Sequence, residues 1–156
     1  MIRVLFVCMG NICRSPMAEA VFQNMVNQAG LADQISSDSA GTGGWHAGEP
    51  AHRGTLSVLK RNNVPYDGRA RQYSGADLND FDYVLAMDTE NLSHLKRSIE
   101  GHAEVKLFLD YARQAGTVQR GEVPDPYYDG SFDQTYDLVI EGSKALLDYL
   151  REKHSL

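Results

Sequence analysis

The sequence contains only two cysteines, Cys8 and Cys13, five positions apart. Small secreted proteins that depend on disulfides carry several spaced cysteines, so this class is excluded. Structural zinc usually takes four Cys or His ligands, and the five histidines are scattered without the spacing of a metal site. The sequence therefore predicts no structural metal, and it leaves open what the two cysteines do.

Long apolar runs and a basic excess are also missing. The run at residues 4–7 is too short for a signal peptide, and no stretch approaches the roughly 20 apolar residues of a membrane span. The 156 residues carry a formal net charge of −6, which argues against nucleic-acid binding. We therefore predict a cytoplasmic protein with neither a membrane nor a nucleic-acid partner. Any anion site must be made locally, by backbone N–H groups and a few cations.

Short apolar runs alternate with helical patterns along the chain. The strand candidates are residues 2–7, 34–39, 81–87 and 104–109. Helices are predicted from the turn containing Pro16 up to a terminal Gly30, over 51–62 and 89–99, and from Ser131 onward, with a long loop over 115–130. The length suits one domain. Residues 1–156 are therefore predicted to form a single three-layer α/β domain, with helices on both faces of a four-stranded parallel sheet.

Polar side chains predict where two of these helices begin. Asp88 stands at the N-cap position of the helix over 89–99, where its carboxylate can accept from a free backbone N–H. Ser131 and Gln134 match a capping box, in which each side chain bonds the other residue's backbone N–H.

The first strand candidate leads directly into the segment CMGNICRS, residues 8–15. A loop between a strand and a helix N-terminus can point its N–H groups inward as an anion nest, which the helix dipole strengthens. Gly10 permits a tight turn, and Arg14 offers a planar fork for two phosphate oxygens. The same field favours the thiolate form of Cys8, which would face a bound phosphorus. The sequence thus predicts a phosphate-binding loop after the first strand.

Two other interpretations of this segment remain. Cys8 can be a small buried residue at a strand end, with Arg14 a solvated charge. A Walker-type nucleotide loop would need a lysine in the pattern G-x4-G-K-[ST], and that spacing is absent. The preceding strand, the Gly and Asn inside the loop and the Ser-Pro at its exit favour the anion nest.

The segment VCMGNICRSPMAE resembles the signature of the low-molecular-weight protein tyrosine phosphatases. The resemblance extends along nearly the whole chain, through DSAGT at 38–42, ARQ at 70–72, FDYVLAMD at 81–88 and DPYY at 125–128. It implies hydrolysis in two steps without a metal or a cofactor. Cys8 would attack phosphorus, Arg14 would bind the phosphate, and Asp125 would act first as general acid and then as general base. Without this pairing, Asp125 would be an ordinary turn residue.

The resemblance also assigns roles around the nucleophile. Ser15 would donate a hydrogen bond to Cys8, while Asn11 and Ser39 would brace the loop. Without the resemblance, Ser39 would be an ordinary hydroxyl at a strand end. The expected phosphate-binding loop comprises, besides the nucleophile and the arginine, Met9, Gly10, Asn11, Ile12, Cys13 and Ser15.

Two further residues have double interpretations. Asp88 would orient Arg14, and it could do so while also capping its helix. Cys13 would form a reversible disulfide with Cys8 under oxidation and so protect the nucleophile. The alternative for Cys13 is a thiol packed against the core.

Aromatic side chains are expected to wall the cleft. Trp45, Tyr127 and Tyr128 match the aromatic residues of the family, and the tyrosine pair is itself phosphorylated in some members. A deep slot suits phosphotyrosine, because the shorter phosphoserine would not reach the loop. His46 lies where family members differ and is expected to tune the choice of substrate.

One position departs from the family pattern. Many eukaryotic members have a histidine near the position of Gly68, and it supports the serine that follows the arginine, here Ser15. In this sequence that hydrogen bond must be replaced or absent.

Three rival functions share parts of the pattern. A thiol-dependent arsenate reductase needs further cysteines to relay a disulfide, and none follows Cys13. Protein-arginine phosphatases of this family typically carry Thr where this chain has Ile12, so the apolar residue favours an aryl phosphate. An inactive phosphate-binding module would lack Cys8, Arg14 or Asp125, and all three are present.

The resemblance also implies what the protein binds. The expected partner is a protein that contains phosphotyrosine. Phosphate-like oxyanions are expected to inhibit by occupying the same loop. The expected assembly is a monomer or a weak dimer.

Overall fold

A computed structural model of the chain describes residues 1–97 and 101–156. Its strands are β1 (Ile2–Cys8), β2 (Ile35–Gly41), β3 (Tyr83–Ala86) and β4 (Glu104–Leu107). All pairings are parallel, and the strand order is β2-β1-β3-β4. Because β2 pairs with one edge of β1 and β3 with the other, the chain switches direction across the sheet at β1. Ligands of parallel sheets bind beyond the carboxyl end of such a strand, where Cys8 lies.

Helices occupy much of the remaining chain. They are α1 (Arg14–Gln28), α2 (Arg53–Arg61), α3 (Asp77–Asp80), α4 (Thr89–Leu95), α5 (Asp110–Gln114), α6 (Pro126–Asp129) and α7 (Phe132–Lys153). As predicted, Pro16 lies in the first turn of α1, and Gly30 follows its C-cap with a φ of +73°. No helix in residues 1–97 and 101–156 is both long and apolar enough to cross a membrane.

The two faces of the sheet bury two separate apolar clusters. Side chains alternate along β1, so Val4 and Phe6 pack with residues of α1, α5 and α7, while Leu5 and Val7 pack with residues of α3 and α4. All four side chains are fully buried. The predicted α/β fold with helices on both faces of a four-stranded parallel sheet is therefore confirmed.

Several element ends differ from the prediction. The helix predicted over 89–99 ends at Leu95, and its residues 98–99 lie outside the described part of the chain. The short helices α3, α5 and α6 are not predicted at all, and α6 falls inside the predicted loop over 115–130. Four or five residues make little more than one turn, so they carry no readable 3.6-residue periodicity.

The predicted capping box at Ser131 is wrong. The Ser131 side chain makes no cap bond to α7; its hydroxyl donates to Asp129 Oδ1 at 2.6 Å, and its backbone N–H donates to the same oxygen at 3.0 Å. The Asp129 carboxylate, two residues upstream, is a strong acceptor because it is charged. The Ser131 hydroxyl therefore binds Asp129 and does not cap α7.

We expect Phe6→Ala to destabilise the protein by about 3–5 kcal/mol, because a large buried side chain is lost and a cavity remains. Phe6 packs edge-on against Phe22 and Phe108, with ring centroids 5.7 and 5.3 Å away. Urea unfolding monitored by circular dichroism measures the change. The control is Tyr128→Ala, which removes an aromatic ring that is 74% exposed and should change stability by less than about 0.5 kcal/mol. Equal losses in the two variants would contradict this account of the core.

Candidate active site

The loop after β1 forms the floor of a cavity of about 280 Å³. The cavity is lined by Cys8, Met9, Gly10, Ile12, Cys13, Trp45, His46, Asp125, Tyr127 and Tyr128. Each of these residues is a site candidate from the sequence. The structure thus gathers residues from three distant stretches of the chain around one opening.

The loop turns its carbonyl groups away from the cavity. The Met9 carbonyl accepts from Gly43 N at 3.0 Å, and the Ile12 carbonyl accepts from His52 N at 2.7 Å. In the part of the chain that the structure describes, no backbone N–H from residue 10 to 13 donates to a backbone carbonyl. With carbonyls bonded outward, these N–H groups remain as donors for an anion.

Asn11 holds the loop in its bent conformation. Its φ is +58°, a left-handed value that Asn tolerates better than most residues. Its Nδ2 donates to Ser15 Oγ at 2.8 Å and to Ser39 Oγ at 2.9 Å, and its Oδ1 accepts from Arg71 N at 2.9 Å. A Cβ on the adjacent Gly41 would lie 3.1 Å from the Asn11 N atom, so the loop passes close over the end of β2. The contacts match the bracing predicted for Asn11 and Ser39.

Cys8 lies at the base of the cavity and is only 2% exposed. Its Sγ is 3.0 Å from Ser15 Oγ. Since Ser15 Oγ already accepts a hydrogen from Asn11, its own proton is free to donate to the sulfur. The geometry therefore favours Cys8 as the acceptor, which is the arrangement that stabilises a thiolate.

Arg14 is 3% exposed and is held by three partners from two segments of the chain. Its Nη1 donates to Asp88 Oδ2 at 2.7 Å and to the Val123 carbonyl at 2.9 Å, while its Nη2 is 3.5 Å from Asp125 Oδ2. Its Nε is buried and has no hydrogen-bond partner within residues 1–97 and 101–156. Nε and Nη2 therefore remain available for two oxygens of a phosphate.

The charge of Arg14 is secured by its surroundings. Burial by itself acts to lower the pKa of this guanidinium. The negative charge of the Cys8 thiolate, the hydrogen bond to Asp88 and the charge of Asp125 act the other way, and the net effect raises the pKa above its ordinary value. Arg14 thus stays cationic beside Cys8.

Asp88 has both of the roles that the sequence left open. Its Oδ1 accepts from Asn91 N at 2.8 Å and caps α4, while its Oδ2 accepts from Arg14. The two oxygens of one carboxylate therefore serve the helix and the arginine at the same time.

Asp125 is placed by a short helix that follows it. It is the N-cap of α6, its Oδ1 accepts from Tyr127 N at 3.1 Å, and its Oδ2 faces Arg14. Pro126 occupies the first helical position, where its missing N–H does no harm. This cap fixes the carboxyl group at the rim of the cavity, above the Cys8 loop.

A family model for the low molecular weight phosphotyrosine protein phosphatases matches residues 3–156. The chain belongs to this family. It is 47% identical over 160 residues to the low molecular weight protein-tyrosine-phosphatase YfkJ of Bacillus subtilis, with all of both chains covered. It is 41% identical to the low molecular weight protein-tyrosine-phosphatase PtpA of Staphylococcus aureus, covering 96% of this chain and 94% of that one.

Solved structures agree with this assignment. The crystal structure of YfkJ from Bacillus subtilis superposes with a TM-score of 0.92 at 46% identity, covering 98% of this chain and 96% of that one. A structure described as a Drosophila arginine phosphatase superposes with a TM-score of 0.87 at 30% identity, covering 95% and 97%. The resemblance found in the sequence is thereby confirmed as membership of a phosphatase family.

The cleft of this phosphatase is walled by exposed aromatic rings. Trp45, Tyr127 and Tyr128 are 71%, 53% and 74% exposed, and the two tyrosine rings meet edge-on at 5.4 Å. His52 supports this wall: it stacks on Phe132 at 4.9 Å and meets Tyr127 edge-on at 5.8 Å. The sequence analysis missed His52 and Phe132, since nothing local links them to the cleft.

His46 is fixed at the cavity edge. A Cβ on Gly10 would lie 3.1 Å from His46 Cδ2, so the imidazole packs directly against the loop. Its Nδ1 lies 2.9 Å from Glu49 Oε2. The ring therefore lines the cavity, and its expected role in the choice of substrate stays a prediction.

Cys13 and Cys8 are both free thiols that line the same cavity. Burial, followed by the negative charges of Cys8 and Asp125, raises the pKa of Cys13 to about 12, although Arg14 acts to lower it. Near neutral pH Cys13 is thus an uncharged thiol, whereas Cys8 receives the Ser15 hydroxyl and lies beside the Arg14 charge. The two cysteines are chemically distinct in the reduced protein.

The sequence analysis also missed partners of the loop on other elements. Val123 contributes only its carbonyl to Arg14, and Arg71 contributes its backbone N–H to Asn11, so neither contact depends on side-chain type. Glu19 could have been found from the sequence, because a carboxylate between two apolar residues of the opening motif is unusual. Its neighbours Ala18 and Ala20 on α1 are buried. No group of three or more His, Cys, Asp or Glu in residues 1–97 and 101–156 could hold a metal ion.

We expect iodoacetamide at pH 7 to alkylate Cys8 and leave Cys13 unmodified. The reagent attacks thiolates, and a thiol with a pKa of about 12 is deprotonated in roughly one molecule in 10⁵ at that pH. Peptide mass spectrometry locates the label, and inorganic phosphate should protect Cys8 by occupying the loop. A urea-unfolded sample, in which both residues become labelled, is the control. Preferential labelling of Cys13 in the folded protein would contradict the assignment.

Proposed function

We propose that this phosphatase hydrolyses phosphotyrosine in proteins, and small aryl phosphates, through a phosphocysteine on Cys8. The observation that carries the proposal is that Cys8 and Asp125 line one cavity at the carboxyl end of β1, with Arg14 Nη2 only 3.5 Å from Asp125 Oδ2. Each of the three supplies a different part of the chemistry.

In the first step the Cys8 thiolate attacks phosphorus opposite the phenolic oxygen. An S–P bond forms while the P–O bond to the phenol breaks, and the electron pair goes to the departing oxygen. Asp125, at the rim of the cavity, gives that oxygen its proton. The free N–H groups of residues 10–13, with Nε and Nη2 of Arg14, bind the oxygens that spread around phosphorus in the transition state.

In the second step water hydrolyses the phosphocysteine. Asp125, now a carboxylate, accepts a proton from the water as its oxygen attacks phosphorus. The S–P bond breaks and its electron pair returns to Cys8. Ser15 donates to the returning thiolate at 3.0 Å and makes it a better leaving group. Inorganic phosphate is released.

The cleft supports an aromatic substrate. Trp45, Tyr127 and Tyr128 present exposed ring surface on which a phenyl group can pack, and Ile12 adds an apolar contact at the loop. A phosphoserine would leave these rings uncovered. Phosphoarginine is the second candidate substrate, because the chain is similar to an arginine phosphatase. It ranks second because the Ile12 side chain, which is 8% exposed, offers no hydrogen-bonding group to a guanidinium.

The remaining features of the proposal concern the whole protein. Residues 1–156 act as one phosphatase domain in the cytoplasm, as a monomer or weak dimer, on a phosphoprotein partner. Oxyanions such as phosphate inhibit it by occupying the loop. Cys13 forms a disulfide with Cys8 under oxidation. No cysteine follows Cys13, so a relay of the arsenate-reductase type has no further thiol to use.

We expect the purified protein to hydrolyse p-nitrophenyl phosphate in the presence of a chelator, because no step uses a metal. Cys8→Ser should lower kcat by roughly 10³-fold or more, since no phosphocysteine can form. Thermal melts verify that the variant is folded. Assaying a phosphotyrosine peptide and a phosphoarginine peptide side by side separates the two candidate substrates. Wild-type rates in Cys8→Ser would end the proposal.

We expect Asp125→Asn to slow phosphoenzyme formation most for substrates with poor leaving groups. Loss of a general acid typically lowers the rate by about 10²–10⁴-fold. The effect should be smallest for nitrophenyl phosphate, because nitrophenolate is a good leaving group without a proton. Rapid-quench rates for a series of aryl phosphates measure the dependence. Asp129→Asn, in the same short helix, is the control and should leave the series unchanged. Equal slowing by Asp125→Asn across the series would contradict its role as acid.

A further inference from the structure

A half-buried carboxylate lies behind the loop and is not used in the mechanism above. Glu19, on α1, accepts two hydrogen bonds at the same oxygen: Oε1 accepts from Ser39 Oγ at 2.6 Å and from the Tyr66 hydroxyl at 3.0 Å. Tyr66 belongs to the segment between α2 and α3, and it packs against the core cluster that contains α1. The pair therefore joins three segments behind the nucleophile.

A continuous hydrogen-bond chain connects this pair to Cys8. Because Asn11 Nδ2 donates to Ser39 Oγ, the hydroxyl proton of Ser39 is free to donate to Glu19. The other Nδ2 hydrogen goes to Ser15, whose proton is then free for the sulfur. As the acceptor at one end, Glu19 orients the Ser39 hydroxyl, and the Arg71 N–H that donates to Asn11 Oδ1 fixes the amide that orients Ser15.

Tyr66 fills the space that a side chain at position 68 would occupy. A Cβ on Gly68 would lie 2.4 Å from the Tyr66 hydroxyl oxygen and 2.6 Å from its Cζ, so any side chain there would collide with the ring. The absence of the family's histidine at position 68 and the presence of Tyr66 are therefore linked. The glycine makes room for the tyrosine to reach the carboxylate.

We propose that Tyr66 and Glu19 are a positioning pair that orients Ser39, Asn11 and Ser15, and through them the Cys8 sulfur. The pair takes the place of the histidine support that Gly68 cannot provide. This inference rests on the proposed role of Cys8 as the nucleophile. Neither residue touches the substrate, so both act through the loop.

The Glu19 carboxyl of this pair changes its charge near neutral pH. Burial is the largest influence on Glu19 and raises its pKa to about 7, with Asp38 adding to the effect; Ser39, Tyr66 and Arg71 act to lower it. The pKa of Tyr66 is raised well above its ordinary value, first by burial and then by the charge of Glu19, so Tyr66 remains a donor. The groups facing the Glu19 carboxylate are Asp38 and Ser39 on β2, and Tyr66 and Arg71 on the segment that follows α2.

The sign of the pH effect follows from these contacts. Above about pH 7 the Glu19 carboxylate receives charge-assisted hydrogen bonds from Ser39 and Tyr66, which are roughly twice as strong as neutral ones. As the pH falls through 7, Glu19 takes up a proton and both bonds become neutral. Glu19→Gln mimics the protonated form at every pH, since its amide oxygen can still accept.

Tyr66→Phe is the first test, because it keeps the ring and removes the donor. We expect kcat for p-nitrophenyl phosphate to fall roughly three- to tenfold with little change in KM, since one hydrogen bond to a charged group is lost behind the nucleophile. Tyr136→Phe, which removes a hydroxyl from a partly buried tyrosine on α7, is the matched control. Unchanged kcat in Tyr66→Phe, or an equal fall in both variants, would overturn the proposal.

Glu19→Gln tests the charge. We expect kcat of this variant to match that of the wild type below pH 6 and to fall at least threefold below it at pH 8. A constant ratio across this range would overturn the claim that the charge matters. Glu141→Gln is the control, because Glu141 is a partly exposed carboxylate on α7. Its kcat should equal that of the wild type at every pH.

A readout that needs no hydrolysis separates this proposal from the proposed function. The rate of Cys8 alkylation by iodoacetamide is measured against pH. In Tyr66→Phe its midpoint should move to higher pH by several tenths of a unit, because Ser15 then stabilises the thiolate less well. Absence of phosphatase activity in the wild type would refute the proposed function, whereas an unmoved midpoint in Tyr66→Phe would refute the positioning pair.

Discussion

The architecture of the site depends on keeping a positive charge buried at the end of β1. Arg14 is 3% exposed, and an unpaired guanidinium at that depth would cost on the order of several kcal/mol. Asp88 and the Val123 carbonyl accept from it, and Asp125 faces it from 3.5 Å. These partners come from different stretches of chain, so one side chain joins the start of α1 to the β3–α4 junction and to the segment before α6. Arg14 is therefore fixed at the point where the Cys8 loop enters α1.

The same arrangement explains how an acidic protein can bind an anion. A net charge of −6 opposes phosphate only at long range, and at physiological salt such fields fade over about 8 Å. Within the loop, the anion meets N–H groups whose carbonyls are bonded outward and a guanidinium with two donors left over. Asp125 faces Nη2 of this guanidinium from 3.5 Å and lines the cavity, whereas Asp88 binds Nη1.

Features made by residues close together in the sequence could be predicted. Features that depend on contacts with distant residues could not. Residues 8–15 could be interpreted from order alone, because a strand, a loop and a helix start are contiguous. Asp88 makes both of the contacts that the sequence left open, one with each carboxylate oxygen. The capping box at Ser131 was wrong because Asp129, outside the pattern, accepts from the serine instead. The helix α6, which aims Asp125, was missed because one turn leaves no periodicity.

The parallel α/β fold and the phosphatase family could be predicted from the sequence alone, and the same patterns led to the hypotheses for Cys8, Arg14 and Asp125. These follow from residue types at fixed short spacings and from alternating apolar runs, which any arrangement of the chain must respect. Three features could be seen only in the folded chain: the partners that keep Arg14 charged, the direction of the Ser15 proton, and the contact of Tyr66 with Glu19 beside Gly68. The physical reason is that a hydrogen bond depends on positions within a few tenths of an ångström. Those positions are set by strand order and helix packing between residues that lie tens of positions apart.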